Sequence, residues 1–341
     1  MFSTEIVPMG TAGTGRASGK AILIGEHTVI YGLPAIALPL PDLSVQATVR
    51  LTHDAPLDAG YVEPLPNSDR IDRQFTCTAE QRSSNEYCGV TAAVAAALRR
   101  WGCHDKTVQV CLRGNIPPAR GLGASAACAA AAVRAVAELL DAPIDAASLF
   151  ELVQCGEQVT HGHASGIDTV TVTATGPIRF EAGVAYPITE DLDAAVIIAD
   201  TGIAADTQLA VNGVRELLHR DRPTTRLLLT EAERIIEFAR RAFTAGDRIA
   251  FGASMVEFHS LLVELGVSTP MLDRLVTVAL SAGASGAKLT GAGLGGCMLA
   301  LTGPDDVAAV DRALRAAGAH LCWVIPIRRD HDRYRNLHAL M

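Results

Sequence analysis

Three features typical of other protein classes are missing from this sequence. Basic residues are outnumbered by acidic ones, 29 to 37, so the formal net charge is −8 and nucleic-acid binding is not expected. The alanine-rich stretch 126–137 is too short and too weakly apolar to span a membrane, and Arg134 interrupts it. Residues 1–17 have neither a basic start nor an apolar core, so we expect no signal peptide.

The cysteines also lack a pattern. All eight are scattered, without a Cys-x-x-Cys pair or the Cys/His spacing of a metal site. We therefore expect reduced thiols packed as small apolar residues, in a cytoplasmic protein. His161 and His163 have no third ligand at a useful spacing, so a zinc site is not expected either.

Composition and length indicate a globular chain with two domains. Hydrophobic residues make up 49% of the 341 residues and charged residues 19%, which excludes a disordered protein. A length of this order is typical of two domains with their own cores. The pattern of predicted secondary structure changes near Pro187, so we place the domains at residues 1–188 and 189–341.

A loop containing prolines and glycines lies near the middle of the chain. It runs from Asn115 to Ala127 and leads into alanine-rich, helix-forming sequence. Glycines let the backbone approach a ligand closely, and the start of a helix leaves several N–H groups unpaired. The stretch therefore predicts an anion site suited to phosphate, with Ser125 placed to ligate a phosphate-bound Mg²⁺. The alternative is an ordinary junction between a loop and a helix.

Two better-known phosphate loops do not fit this sequence. Gly121-x-Gly123-x-x-Ala126 mimics the dinucleotide fingerprint, but six residues separate it from the strand predicted before it. The sequence after it is typical of two successive helices, which excludes a dinucleotide oxidoreductase. Gly10-x4-Gly15 lacks the Lys and the Ser/Thr of a Walker loop, and no strand precedes it.

Hydrophobic periodicity predicts the other elements. We expect a flexible lead-in over residues 1–17, then a short buried strand that contains Lys20. Asp145 is the expected N-cap of the helix that carries Glu157. The β-rich stretch Thr169–Thr173 predicts a strand, with Asp168 at its start. The remaining expected helices are 86–100, 124–140, 207–220, 224–245, 247–264, 269–282 and 304–317. The remaining expected strands lie in 29–38 and 45–51, broken by Gly and Pro, and in 107–113, 194–199 and 320–327, with strand, glycine loop and strand over 287–301.

Three separated motifs coincide in this chain: Gly19-Lys20 followed by Glu26-His27, the loop Pro117–Ala127, and Lys288–Gly293. Together they resemble the GHMP small-molecule kinase family, over about residues 18 to 327. The stretch from His161 to Asp168 makes the chain similar to those members that phosphorylate mevalonate. The resemblance implies a two-domain α+β fold, ribosomal-protein-S5-like at the N-terminus and ferredoxin-like at the C-terminus. It also implies transfer of phosphate from ATP, with Mg²⁺, to the C5 hydroxyl of mevalonate.

The resemblance implies roles for single residues. Asp168 corresponds to the catalytic aspartate and Lys20 to the lysine beside it, while Ser125 and Glu157 correspond to the magnesium ligands. Whether Asp168 is a general base or an electrostatic anchor stays open. The residues that correspond to the ATP-binding positions are Pro118, Arg120, Gly121, Leu122, Gly123, Ala124, Ser125 and Ala126. Those that correspond to substrate-binding positions are Glu26, His27, Thr207 and Ala292, with His27 and Thr207 at the carboxylate and tertiary-alcohol end of mevalonate. The alternative is that His27 caps a turn and Thr207 caps a helix.

The sequence departs from the family pattern in four places. Ser18 replaces a proline, Ala124 a serine, Leu294 a glycine, and His163-Ala164 an Asn-Pro pair, which leaves the fine specificity open. Phosphomevalonate is the nearest rival substrate, but it would want additional Lys or Arg around its phosphate. A non-catalytic ligand-binding protein is a second rival, although the four predicted catalytic and metal-binding residues are intact. Whether the protein forms a homodimer stays open.

Overall fold

The computed structural model describes residues 12–52, 70–79, 88–162, 164–188, 192–220 and 222–327. The described residues form two compact units. The first unit takes those within Met1–Lys20, Pro39–Pro118 and Leu122–Thr175, and the second those within Ala21–Leu38, Ala119–Gly121 and Gly176–Met341. The chain therefore passes from one unit to the other several times. The domain boundary placed between residues 188 and 189 stays a prediction.

The first unit combines antiparallel strands with four helices. Strands β1 (Gly13–Ile24) and β2 (Ala35–Thr52) contribute residues to both units. Within the first unit β4 lies between β2 and β3, and Thr107 stands opposite Thr52 on one side and Thr78 on the other. The other elements of this unit are β3 (Ile71–Thr78), β4 (Thr107–Gly114), α1 (Cys88–Arg100), α2 (Ala124–Leu139), α3 (Ala146–His161) and α4 (Ile167–Thr171).

Small residues allow helix α2 to lie directly against strand β1. A Cβ added at Gly13 would stand 2.1 Å from the carbonyl oxygen of Ala135, and one at Gly15 would stand 2.1 Å from that of Ala131. Most residues of α2 are buried, as its alanine content favours. The expectation of a flexible lead-in is therefore wrong from Gly13 onward, because these glycines serve close packing of a strand against a helix. Residues 1–11 lie outside the described ranges.

The second unit contains a four-stranded antiparallel sheet in the order β10-β7-β9-β8. A short hairpin, β5 and β6, pairs with the first residues of β2, where Ala35 stands opposite Phe180. Three phenylalanines, Phe243, Phe251 and Phe258, are fully buried in the core. The elements are β5 (Ile178–Glu181), β6 (Val184–Pro187), β7 (Ala194–Asp200), α5 (Thr207–Arg220), α6 (Arg222–Thr244), α7 (Arg248–Glu264), α8 (Pro270–Ser281), β8 (Gly286–Thr290), β9 (Cys297–Thr302), α9 (Val307–Ala316) and β10 (Leu321–Ile327).

Helix starts follow the capping residues. Asp145 is the N-cap of α3, as predicted, and its carboxylate accepts a hydrogen bond of 2.7 Å from the Ser148 N–H. Asp247 caps α7 in the same way, at 2.9 Å from the Ala250 nitrogen. None of the helices in the described ranges combines the length and the hydropathy that a membrane span requires.

Candidate active site

Lys20 and Asp168 form an ion pair in the first unit. The Lys20 Nζ lies 2.9 Å from the Asp168 Oδ1. The lysine side chain is only 4% exposed, whereas the aspartate side chain is 34% exposed. The pair therefore presents a carboxylate to solvent above a buried cation, an arrangement in which the carboxylate can bind and orient a hydroxyl.

The local structure around Asp168 differs from the expectation. Residues 167–171 form the short helix α4, so the predicted strand over Thr169–Thr173 is wrong and Asp168 lies in the first turn of a helix. Threonine is enriched in strands, but its hydroxyl can also bond to a backbone carbonyl one turn earlier in a helix. The Thr171 hydroxyl donates to the Ile167 carbonyl at 2.6 Å, and Thr169 donates to the Gln154 side chain at 2.9 Å.

Ser125 and Glu157 meet as predicted. Ser125 is the second residue of α2, and its hydroxyl donates a hydrogen bond of 2.7 Å to the Glu157 Oε1. Glu157 is buried near the end of α3. A hydroxyl oxygen beside a carboxylate is a hard-oxygen pair of the kind that binds Mg²⁺ together with phosphate oxygens and water. In the described part of the chain no group of three or more His, Cys, Asp or Glu could hold a metal by itself.

The electrostatics of Glu157 tie it to the Lys20–Asp168 pair. Burial and, to a smaller extent, the Asp168 charge together raise the pKa of Glu157 to about 7, against the opposing effects of Ser125 and Lys20. His161 lies one helical turn on, with its Nε2 3.7 Å from the Glu157 Oε2. Burial lowers the pKa of His161, with Asp168 and Lys20 acting in opposite directions. Glu157 and Asp168 are 11 residues apart along the chain, a spacing that did not predict this proximity; it results from the turn after α3.

The glycine loop joins this cluster at the start of α2. Gly123 is the N-cap of α2 with a positive φ of 73°, and an added Cβ would stand 2.7 Å from the Lys20 Cγ. The Leu122 carbonyl accepts a hydrogen bond of 3.0 Å from the Lys20 N–H. The first intrahelical bond of α2 runs from the Ala127 N–H, so the preceding N–H groups remain for a ligand. The predicted phosphate loop therefore lies directly beside Lys20.

Arg120 differs from the other predicted phosphate-loop residues. It belongs to the second unit, where its Nε lies 3.0 Å from each carboxylate oxygen of Asp200. Its Nη2 donates to the Gly202 carbonyl at 3.1 Å. The guanidinium is thus bound to a buried carboxylate, and the expected contact of this side chain with phosphate stays a prediction. No sequence pattern indicated Asp200 as the partner, because it lies 80 residues away at the end of a buried strand.

His27 lies in a turn of the second unit, at the start of a 3₁₀ turn, Thr28–Tyr31. Its Nε2 is 2.9 Å from the Ala292 carbonyl oxygen, so two of the predicted substrate residues are in contact. Burial lowers the pKa of His27 to about 4, with Lys288 adding to this and the bond to Ala292 opposing it. The ring is therefore neutral at pH 7. Because a carbonyl can only accept, Nε2 carries the hydrogen and Nδ1 is left as an acceptor.

Glu26 and Lys288 form a second ion pair, which the sequence did not predict. The two side chains are 1% and 0% exposed, and the Lys288 Nζ also donates to the Leu289 carbonyl. The ammonium lies 5.8 Å from the centre of the Phe258 ring. The Glu26 carboxylate is thus bound through its Oε1 to a buried cation, and the expected contact of Glu26 with the substrate stays a prediction. The signal for Lys288 was a lysine within an apolar strand.

Thr207 begins helix α5 but does not cap it. The cap is Asp206, whose carboxylate accepts a hydrogen bond of 2.9 Å from the Leu209 N–H. The alternative interpretation of Thr207 as an N-cap is therefore wrong. The Thr207 side chain is half-buried, and its hydroxyl has no hydrogen-bond partner among the residues that the structure describes.

Two of the four departures from the motif pattern have visible structural consequences. Leu294 adopts a positive φ of 55°, a conformation that favours glycine. Ser18 retains a backbone donor, and its N–H bonds to the Val172 carbonyl at 3.2 Å, a bond that proline could not make. His163 lies outside the described residues.

Comparison with known proteins gives two family-model matches. The model for the GHMP kinases N terminal domain matches residues 89–176, and the model for GHMP kinases C terminal matches residues 228–320. The mevalonate kinase of Pyrococcus furiosus is 31% identical over 318 residues, which cover 89% of this chain and 92% of that protein. The mevalonate kinase of Thermococcus sibiricus is 32% identical over 311 residues, with the same coverage.

A solved structure extends the similarity to the fold. The crystal structure of L. major mevalonate kinase in complex with R-mevalonate matches this chain with a TM-score of 0.76 and 25% sequence identity. The match covers 96% of this chain and 100% of that chain. The similarity therefore extends over both units.

Proposed function

Since the chain belongs to the GHMP kinase family, we propose that it is a mevalonate kinase, which transfers the γ-phosphoryl group of ATP to the C5 hydroxyl of (R)-mevalonate. The family and the two-domain GHMP kinase fold predicted from the motifs are confirmed. The observation that carries the proposal is the Lys20–Asp168 ion pair, 2.9 Å long, beside the Ser125–Glu157 pair.

Asp168 and Lys20 act on the hydroxyl that receives the phosphoryl group. The exposed carboxylate of Asp168 accepts a hydrogen bond from that hydroxyl, orients its oxygen and is placed to take its proton. Lys20 fixes Asp168 and stabilises negative charge as it develops on the oxygen. Positioning and charge stabilisation are the main demands of phosphoryl transfer, whose transition state is loose.

The start of α2 and the Ser125–Glu157 pair bind the phosphate end of ATP. The free N–H groups after Gly123 point out of the helix and bind phosphate oxygens. Ser125 and Glu157 fit Mg²⁺ because both offer hard oxygen atoms and lie within hydrogen-bond distance of each other. When bound, the metal offsets charge on the phosphates. Because the pKa of Glu157 is about 7, its carboxyl group releases a proton when it takes up a cation.

The second unit supplies recognition of the organic substrate. Neutral His27 offers Nδ1 as an acceptor, so it binds an alcohol of mevalonate and not its carboxylate. This narrows the expectation from sequence, which placed His27 at either group. Thr207 offers an unpaired hydroxyl that can donate to the carboxylate. Phosphomevalonate is disfavoured because the nearby cations Lys288 and Arg120 are already bound to buried carboxylates.

A coupled ADP-release assay tests the function. The panel is mevalonate, phosphomevalonate, galactose and homoserine, each with ATP and Mg²⁺, and ³¹P NMR identifies the product. We expect turnover of mevalonate to 5-phosphomevalonate. A far higher kcat/KM for another panel member, with mevalonate inert, would overturn the proposal.

The role of His27 is tested with a substrate analogue that lacks the tertiary alcohol, 5-hydroxy-3-methylpentanoate. The unmodified protein is expected to bind the analogue about 10-fold more weakly than mevalonate, since losing a hydrogen bond of this kind costs about 1.5 kcal/mol. His27→Leu is expected to bind both compounds equally. If His27→Leu still prefers mevalonate by the same factor, His27 does not contact the alcohol.

We also propose a cytoplasmic location. The structure shows seven free cysteines, and none of the described residues forms a disulfide. Free thiols that include buried and part-exposed side chains are typical of a reducing compartment. Cell fractionation followed by thiol titration tests this, and a disulfide-bonded protein in an exported fraction would contradict it.

A further inference from the structure

Arg120 holds the first residues of the phosphate loop against the turn that follows strand β7. Its Nε and Nη2 bind two different groups of that turn, the Asp200 carboxylate and the Gly202 carbonyl. The backbone adds a third bond, because the Ala205 N–H donates to the Ala119 carbonyl at 2.8 Å. The segment Ala119–Gly121 is therefore attached to the turn 200–205 by both its side chain and its main chain.

The turn is itself well determined. Asp200 is fully buried, and its Oδ1 also accepts a hydrogen bond of 2.8 Å from the Gly202 N–H. Thr201 donates to the Gly296 carbonyl at 2.7 Å, and the Gly296 N–H donates to the Ile203 carbonyl at 2.7 Å. The Asp200 carboxylate therefore fixes the turn, and Arg120 neutralises the charge of this buried carboxylate.

Three segments with predicted substrate or phosphate contacts meet at this attachment. Gly121 follows Arg120, starts the glycine loop and lies against Gly291, with only 3.1 Å between an added Cβ and the Gly291 Cα. Gly291 precedes Ala292, which His27 contacts. The turn continues to Thr207, four residues after Ile203. A displacement of Arg120 would therefore move groups from each segment together.

We propose that Arg120 is a positioning residue, which acts through Asp200 to fix Ala119–Gly121, the first glycine-loop segment, to the turn 200–205 that leads to Thr207. It does not bind the phosphates of ATP. The proposal rests on the proposed function, because it assigns the loop to ATP and Thr207 to the organic substrate.

The geometry demands arginine at this position. The planar guanidinium reaches a carboxylate and a carbonyl at once, from Nε and Nη2, while a lysine ammonium is a single point charge on a flexible chain. A phosphate ligand, in contrast, would tolerate lysine, which is a common phosphate-binding residue. Arg120→Lys therefore separates the two roles while it retains the positive charge.

The experiment is a double-mutant cycle on full-length protein with Arg120→Met, Asp200→Asn and both together. Each single variant is expected to lower kcat/KM for mevalonate by about 10- to 100-fold, since small misplacements in an active site have effects of this size. The double variant is expected to be no more than about threefold worse than either single one, because both break the same contact. Arg120→Lys is expected to resemble Arg120→Met.

A glycine variant moves Arg120 without changing any charge. A Cβ at Gly296 would stand 2.9 Å from the Arg120 carbonyl oxygen, so Gly296→Ala is expected to reproduce the loss seen in Arg120→Met. Gly266→Ala is the matched control, because its φ of 74° is also positive but no atom lies within 4 Å of the added Cβ. The control is expected to keep the kcat/KM of the unmodified protein.

Three results would overturn the inference. The first is a selective rise in KM for ATP in Arg120→Met that Arg120→Lys rescues, which would make Arg120 a phosphate ligand. The second is independent, multiplying effects of Arg120→Met and Asp200→Asn. The third is a lower melting temperature with unchanged kcat/KM for mevalonate, which would make the contact purely structural.

The proposed function fails separately, and it is tested on the unmodified protein. If mevalonate is inert, the same cycle is measured with whichever panel substrate turns over. Coupling between positions 120 and 200 in that assay would retain the positioning role after the substrate assignment had been lost.

Discussion

The two units each hold a pair formed by a lysine and a carboxylate, and the pairs differ in exposure. In Lys20–Asp168 the carboxylate side chain is 34% exposed, while in Lys288–Glu26 both side chains are sealed from solvent. Both lysines lie in strands, and both were part of the motifs that pointed to the family. The family resemblance predicted only the first pair, because it placed Lys20 beside Asp168 and assigned no partner to Lys288.

The difference in exposure indicates a catalytic role for the first pair and a structural role for the second. A carboxylate that reaches solvent can exchange its water for a substrate hydroxyl, whereas one that is fully buried can serve only the groups that already surround it. Glu26 precedes His27, and Lys288 lies four residues before Ala292, the residue that His27 contacts. The buried pair therefore fixes the two segments that carry His27 and Ala292, two of the predicted substrate-binding residues.

Breaking the exposed pair is expected to have the largest effect. Asp168→Asn keeps the shape of the side chain but removes the charge that orients the hydroxyl, so kcat is expected to fall by about 10²- to 10⁴-fold. The KM for ATP is expected to change little, whereas the melting temperature is expected to fall, because Asn leaves the buried Lys20 ammonium without its counter-ion. Steady-state kinetics and thermal melts measure these quantities.

Lys20→Met is the companion variant, because it removes the buried partner of the same pair. It is expected to lower kcat by a similar factor. A near-normal kcat in either variant would remove that residue from the catalytic pair and with it the contrast between the two pairs.

Breaking the sealed pair is expected to act on stability. Lys288→Met leaves Glu26 without its cation in the interior, which costs about 3–5 kcal/mol of unfolding free energy. Lys288→Met combined with Glu26→Gln is expected to recover more than half of this, because no isolated charge remains. Denaturant unfolding measures both variants.

Activity measured well below the melting temperature provides the decisive comparison. If Lys288→Met is as stable as the unmodified protein and loses kcat as Asp168→Asn does, the sealed pair belongs to the chemistry after all.

Glu157 is a third case to compare with the two ion pairs. It is a buried carboxylate like Glu26, but its partner is the Ser125 hydroxyl instead of a lysine ammonium. Its pKa is raised from 4.5 to about 7, so the folded protein holds this proton more tightly than the unfolded chain. The group therefore favours folding below pH 4.5, and that contribution is lost as the pH rises through about 7. The shift corresponds to a free energy on the order of 3 kcal/mol.

Glu157→Gln tests this dependence in the absence of Mg²⁺ and ATP. Relative to the variant, the unmodified protein is expected to lose stability between pH 4.5 and pH 8, as seen in urea unfolding at several pH values. A constant difference over this range would mean that Glu157 ionises normally.

The smallest expected effect concerns the two glycine loops beside the pairs. Gly123, next to Lys20, has a φ of 73°, and Leu294, after the Lys288 strand, has a φ of 55°. Leu294→Gly is expected to raise the unfolding free energy by about 1 kcal/mol or less, because relieved strain is partly offset by a more flexible unfolded chain. Chemical denaturation measures it, and a decrease in stability would show that Leu294 contributes more by packing than it loses by strain.

The sequence predicted most elements of the fold because their periodicity and caps are local. Asp145 marks the start of α3, and four successive amphipathic helices follow β7. The strand predicted at Thr169–Thr173 was wrong because its threonine hydroxyls bond inside a helix. The start of β1 was missed because the role of Gly13 and Gly15 is to let α2 pack closely, a long-range contact that the local sequence does not show.

The sequence predicted site residues that belong to a family motif. It did not predict which partner a charged side chain binds when several are available in the fold. Lys20 with Asp168, and Ser125 with Glu157, were assigned from the family resemblance and lie in contact. Glu26 and Arg120 were assigned to ligands, but each binds a buried residue of opposite charge. Nothing in the local sequence distinguishes a charge that awaits a ligand from one already neutralised by a residue far along the chain.

The close packing of α2 on β1 restricts movement of the helix whose first residues form the end of the phosphate loop. An α-helix rises about 1.5 Å per residue, so Ala135, which faces Gly13, lies about 16 Å along the axis from the loop. At Gly13 and Gly15 no side chain separates the strand from the helix, so a tilt of the helix there cannot be taken up by a change of rotamer. We expect α2 to move as a rigid body. A methyl group added at Gly13 would therefore displace the whole helix, including the N–H groups at its start that are predicted to bind phosphate.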